Sequence, residues 1–245
     1  MHPATDLSLG DSTVSRLVVR RLGRRGYADA CALQERAACS VAGGGADELL
    51  YVEHAPVITL GRGTDARQIL ASRTDLAAAG IAVVDTDRGG GATYHGPGQL
   101  VGYPIIDLRR RGLGVRAYLR ALEMAIVAML HDDGVCCHIR PGLTGVWTTR
   151  GKVAAIGVAV RRGITRHGFA LNIAPDLSAF GRIVPCGLRQ PVTALEDLGW
   201  HGNPAQLQRR LARALQTALG EREDAPVLTM RAAGSDAWVA GGAPL

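Results

Sequence analysis

The sequence predicts an α+β domain in which a mixed, largely antiparallel β-sheet is flanked by helices. Three observations carry this expectation. Of the 245 residues, 47% are hydrophobic, ample for one sizeable core. Two apolar runs, Val153 to Val160 and Ile164 to Ile173, flank Arg161-Arg162-Gly163 as a hairpin. Segments of helical period stand beside the strands without alternating regularly with them, which argues against a doubly wound parallel sheet. Residues 1–13 and 232–245 show little periodicity and are expected as mobile tails around a single domain, 14–231.

In chain order, Tyr27, Ala30, Leu33, Ala37 and Val41 recur at helical spacing before Gly43-Gly44-Gly45 ends the helix. Leu49 to Glu53 and Val57 to Leu60 read as strands broken at His54-Ala55-Pro56. A short helix closes at Gly80, and Ile81 to Val84 is a further strand. After a glycine-rich segment, Leu100 to Ile106 reads as a buried strand. A helix from about Val115 to His131 then carries the stripe Leu119, Leu122, Ile126, Met129 and Leu130, with Gly134 as its stop. Asn203-Pro204 opens the last helix, in which Leu207, Leu211 and Leu215 fall every fourth position. The tally is seven or eight strands and four helices.

A net charge of +6 and a pI near 9.4 suit an acidic partner. With aromatics at 4%, too few to stack bases, an acidic carrier protein is favoured over nucleic acid. The five cysteines, 31, 39, 136, 137 and 186, include no C-x-x-C pair, and no signal peptide or membrane-spanning stretch is evident, so a reduced cytoplasmic setting is expected. Cys136-Cys137-His138 lacks a second ligand cluster, so no metal is expected.

Of the 28 basic residues, a single one is lysine, Lys152, at the head of an apolar run. Arginine cannot give up its proton at workable pH, whereas a desolvated lysine can act as a base; the alternative is a strand-edge lysine without chemistry. Cys186, in Ile183-Val184-Pro185-Cys186-Gly187-Leu188, would be displayed at a tight bend with the following amide placed as an oxyanion donor; otherwise it is inert core filler. Lys152 near that thiol would favour the thiolate. His54, His95 and His167 are further candidate bases, or else hydrogen-bonded structural histidines.

The segment Arg88-Gly-Gly-Gly-Ala-Thr-Tyr-His-Gly-Pro-Gly-Gln-Leu100 is either a plain turn or a loop whose backbone approaches a ligand, with Arg88, Tyr94 and His95 favouring a ligand-lined cleft. Nucleotide motifs fail: Tyr94 and Val101 stand where a third dinucleotide glycine belongs, while Val146 and Val153 spoil a P-loop around Gly151-Lys152. A Gly-x-Ser-x-Gly elbow is absent.

Taken together, Arg88 to Asp107, Gly151 to Val158, His167-Gly-Phe-Ala-Leu-Asn172 and Ile183 to Leu188, with Glu53 to Gly61, closely resemble the lipoyl(octanoyl) transferases. The resemblance spans about residues 16–200 and implies a fold like the catalytic module of biotin and lipoate protein ligases. It implies transfer of octanoyl (or lipoyl) from acyl carrier protein to a lysine of lipoyl domains, those of 2-oxoacid dehydrogenases and of the glycine cleavage H protein, without ATP, cofactor, nucleic acid or membrane. Cys186 matches the acyl-thioester nucleophile and Lys152 the lysine that tunes it. By the same match Arg88, Gly89, Gly90, Gly91, Ala92, Thr93, Tyr94, His95, Ala155, Ile156, Gly157, Gly168, Phe169 and Ala170 line the acyl site, with His54 and His167 in support. Ala55 and Arg166 depart from the family pattern, the latter at a rim where a carrier would dock. Two other readings are an ATP-dependent lipoate or biotin ligase, which would not need Cys186, and a non-catalytic acyl-binding protein.

Overall fold

The computed structural model describes residues 17–184, 191–221, 228–232 and 238–240. Its strands are β1 (Leu17–Arg25), β2 (Asp47–His54), β3 (Val57–Leu60), β4 (Ala82–Asp85), β5 (Ala92–His95), β6 (Gln99–Ile105), β7 (His138–Arg140), β8 (Leu143–Thr148), β9 (Gly151–Arg161), β10 (Ile164–Asn172), β11 (Leu228–Ala232) and β12 (Trp238–Ala240). The helices are α1 (Tyr27–Ala42), α2 (Arg73–Ala78), α3 (Val115–Asp132) and α4 (Pro204–Ala218).

Among the described residues, nine strands form one sheet in the order β12-β11-β1-β2-β6-β10-β9-β8-β7, and β4-β3-β5 form a second. Only the pairs of β1 with β2 and β11 and of β3 with β4 are parallel, so the expected mixed, largely antiparallel α+β architecture is the one observed. The strand tally was low. β1 carries arginines that break its alternation, β5 lies inside the glycine-rich segment, and β7 is only three residues long, so none gives a clear period-2 signal. Part of the stretch read as a C-terminal tail forms β12, paired with β11, while residues 1–13 lie outside the described ones.

The large sheet is covered on both faces, and period-2 alternation sorts its side chains. Leu49 and Tyr51 of β2 join Leu122, Ile126, Met129, Leu207, Leu211 and Leu215 beneath α3 and α4. Leu50 and Val52 join Ala30, Ala37 and Val41 of α1, with Val101, Tyr103 and Ile105 of β6. A third apolar cluster, including Ile58, Leu76, Tyr94, Phe180 and Ile183, fixes the small sheet. The hairpin between β9 and β10 turns at Arg162 and Gly163, with φ of 51° and 84°; this is the pair of left-handed residues that a two-residue turn demands. Asn203 caps α4 by accepting from the amides of Ala205 and Gln206. No helix of the described residues is long and apolar enough to cross a membrane.

Candidate active site

On the α1 side of the large sheet, a partly open cleft lies between it and the small sheet. Its walls come from Arg88, Gly89 and Gly90, from Thr93 and His95 of β5, from Val101 and Tyr103 of β6, and from the paired strands β9 and β10. Ala155-Ile156-Gly157 and Gly168-Phe169-Ala170 form the last wall because register sets Gly157 opposite Gly168 and Ile156 opposite Phe169. The sequence-expected binding residues are thus largely brought together. Alternation along β5 separates two of them: Thr93 and His95 face the cleft, whereas Ala92 and Tyr94 point into the third core cluster, Tyr94 edge-on to Phe180 at 5.5 Å. Gly91 does not line this cleft either; its carbonyl accepts from the Gly61 amide.

The glycine-rich segment is held rigidly. Gly89 donates its amide to the Val158 carbonyl at 2.9 Å, which fastens the segment to β9. Arg88, 6% exposed, reaches the Thr59 carbonyl at 2.6 Å and its hydroxyl at 2.9 and 3.2 Å, so the buried cation is satisfied by neutral oxygens on β3. Thr59 gave no sign of this partnership in the sequence, since the two positions are 29 apart.

Three histidines surround the cleft, all held below the ordinary imidazole range. Burial lowers His54 to about 4; its Nδ1 faces the Arg25 carbonyl at 3.2 Å, so that nitrogen carries the proton and Nε2 accepts from the Tyr103 hydroxyl at 2.7 Å. Burial, helped by the neighbouring His54, lowers His95 to about 3; Nδ1 donates to Gln99 Oε1 at 2.7 Å, leaving Nε2 as its basic nitrogen. Burial also lowers His167, against the pull of Asp87, whose carboxylate lies 2.7 Å from its Nε2. Arg166 pairs with both Glu35 and Asp87, so its rim position is filled by an internal ion-pair network.

Lys152 stands three positions before the cleft wall on β9. Val146 pairs with Ala154 and Trp147 with Lys152, so Val153 is an extra, bulged residue. The bulge turns Lys152 onto the face of Trp147, where its Nζ sits 4.6 Å from the ring centroid and donates to the Thr144 carbonyl at 3.2 Å. This is the same face on which Ala155 and Gly157 reach the cleft.

Cys186 lies outside the described residues, but both flanks of its segment are fixed. Before it, Val184 donates to the Gln68 carbonyl at 2.7 Å, and Gln68 Oε1 in turn accepts from the Ala92 amide. After it, the Lys152 amide donates to the Pro191 carbonyl at 2.9 Å and the Thr193 amide donates to the Lys152 carbonyl at 3.0 Å. Among the described residues, no cluster of three or more His, Cys, Asp or Glu could hold a metal ion.

Residues 26–216 match the lipoyl protein ligase A/B catalytic domain. An octanoyltransferase of Solibacter usitatus is 51% identical over 80% of this chain and 89% of its own length. One of Geotalea uraniireducens is 47% identical over 82% and 92%. Among solved structures, a bipartite lipoate protein ligase of Thermoplasma acidophilum, studied with its E2 lipoyl domain, superposes with a TM-score of 0.69 at 18% identity, covering 88% of each chain.

Proposed function

The chain belongs to the lipoyl protein ligase A/B catalytic-domain family and is an acyltransferase, and from that premise we propose that it carries an octanoyl group from acyl carrier protein to a lipoyl-domain lysine through a thioester on Cys186. One observation supports this above the rest: the only lysine of the chain is seated by both of its backbone hydrogen bonds where the segment following Cys186 joins β9, beside the cleft.

In this reading Lys152 takes the Cys186 proton, and the thiolate attacks the carbonyl carbon of the incoming thioester. The tetrahedral adduct collapses with loss of the carrier thiolate, which recovers the proton from Lys152. One thioester replaces another, so neither ATP nor a cofactor is needed. The acceptor amine then attacks the acyl-enzyme, the carbon–sulfur bond breaks, and Lys152 receives the proton that the new amide nitrogen must shed. The cleft between Ala155-Ile156-Gly157 and Gly168-Phe169-Ala170 takes the acyl chain. At roughly 0.8 kcal/mol per methylene, seven carbons beyond the carbonyl supply about 5–6 kcal/mol of binding. Neutral His54 and His95 suit such a slot because they add no charge beside a hydrocarbon. The acceptors are the lipoyl domains of 2-oxoacid dehydrogenases and the glycine cleavage H protein, the enzyme works in the reducing cytoplasm, and the +6 charge favours encounter with acidic carriers.

The test is intact mass after incubation with octanoyl carrier protein and no ATP. A gain of one octanoyl group, absent in Cys186→Ser, is the expected result. A gain that requires ATP and free octanoate would make the protein a ligase, and no covalent species would make it an acyl-binding protein.

A further inference from the structure

Glu123, on α3, is a buried carboxylate that the reaction above does not use; its side chain is 7% exposed. Its Oε1 accepts from the Gly145 amide at 2.9 Å, and its Oε2 lies 3.1 Å from the exposed guanidinium of Arg120. The carbonyl of that same peptide unit, Thr144 O, accepts from Lys152 Nζ at 3.2 Å. One peptide plane is therefore gripped at both ends, by a carboxylate at its N–H and by the ammonium or amine of Lys152 at its C=O.

We infer that Glu123 is a positioning residue that acts on Lys152 through the Thr144–Gly145 peptide. A carboxylate bonded to a peptide N–H polarises the unit and makes its carbonyl a stronger acceptor, so hydrogen bonds in the series reinforce one another. The amine at the far end is thereby aimed and its protonated form favoured, which suits a carrier that holds a proton within each half-reaction, from taking it up to giving it to the departing thiolate. Gly145 makes the arrangement possible. Its φ is 125°, and a Cβ there would stand 2.6 Å from the Ala154 carbonyl, so glycine is required at this peptide, and the lysine arm passes over it within van der Waals reach. Among the described residues, the charged or titratable groups around Lys152 include Glu123 and Arg120 from α3, and from β7 Arg140, which shares the Trp147 ring with Lys152, and His138, which contacts Arg140.

The inference rests on the reading of Lys152 as the proton carrier, and a single-lysine chain allows the two to be tested apart. Protein labelled with ¹³C,¹⁵N-lysine gives one side-chain signal, whose titration reports Lys152 with no assay of activity. Glu123→Gln keeps an acceptor for the Gly145 amide and removes the charge; the Lys152 midpoint should fall by roughly 0.5–1 pH unit, and the pH profile of acyl-enzyme formation should move with it. An unchanged Lys152 titration in folded Glu123→Gln overturns the inference. A moved titration with an unmoved rate profile upholds the coupling and removes Lys152 from the reaction. Should the variant fail to fold, Arg120→Gln decides: without the guanidinium that offsets the Glu123 charge the Lys152 midpoint should rise, and an unchanged midpoint overturns the link.

Discussion

Asn172 donates through Nδ2 to the Thr193 carbonyl at 3.0 Å, and so ties the end of β10 to the stretch that lies on Lys152. Its Oδ1 accepts from Gln99 Nε2 at 2.8 Å, and Gln99 holds His95. A continuous chain of buried hydrogen bonds therefore runs from the cleft wall to the lysine. Removal of its centre leaves donors and acceptors unpaired on both sides, so Asn172→Ala should lower stability by about 1–3 kcal/mol in urea unfolding. Acyl-enzyme formation should slow as well, because 191–193 loses its hold on β10. Unaltered stability and rate would show that the chain of bonds carries no such coupling.

Lys152→Arg keeps a cation that can stack on Trp147 but cannot release its proton near neutrality. Turnover in a carrier-to-lipoyl-domain assay should drop by roughly 10²–10⁴-fold. Near-normal turnover would rule out proton transfer by this residue.

Acid should unfold the protein early. His54 and His95 hold folded values of about 4 and about 3, below the value of about 6.5 in an unfolded chain. Their contribution to stability is complete above about pH 6.5 and is lost as pH falls from there toward those folded values, since the unfolded chain binds protons that the buried rings refuse. At pH 5 the loss is about 2 kcal/mol for each ring. Urea midpoints at pH 7 and pH 5 measure it, and equal midpoints would contradict the burial of neutral rings.

Gly157→Ala should change which acyl chains are accepted. A Cβ at this position would lie 2.9 Å from the Gly89 carbonyl and 3.4 Å from Arg88 Cδ, where the glycine-rich segment crosses β9. The kcat/KM for octanoyl should fall by roughly 10–200-fold relative to butyryl donors, the range a single misplaced methyl commands in an apolar pocket. An unchanged ratio would place the acyl chain elsewhere.

Long helices and the hairpin were legible in the sequence because α1, α3, α4 and the Arg162-Gly163 turn declare themselves within a short window. The cleft was legible as segments, though not as faces: alternation along β5, which divides Thr93 and His95 from Ala92 and Tyr94, is hidden by the glycines before it. Partners such as Thr59 for Arg88, Tyr103 for His54 and Asp87 for His167 come from strands or loops far away in sequence, so only the folded sheet pairs them. Glu123 was concealed differently, as one more charge on an amphipathic helix whose partner is a backbone amide that no sequence motif marks.

With 27 of its 28 Lys and Arg side chains arginine, the protein carries its surplus positive charge on groups that resist acylation. A catalyst that presents an activated acyl group to primary amines risks labelling itself, and here the only side-chain amine is held against a carbonyl and an indole ring. Replacing surface arginines by lysines would leave the charge intact but give the enzyme bystander acceptors, visible as multiple mass additions after prolonged incubation with donor.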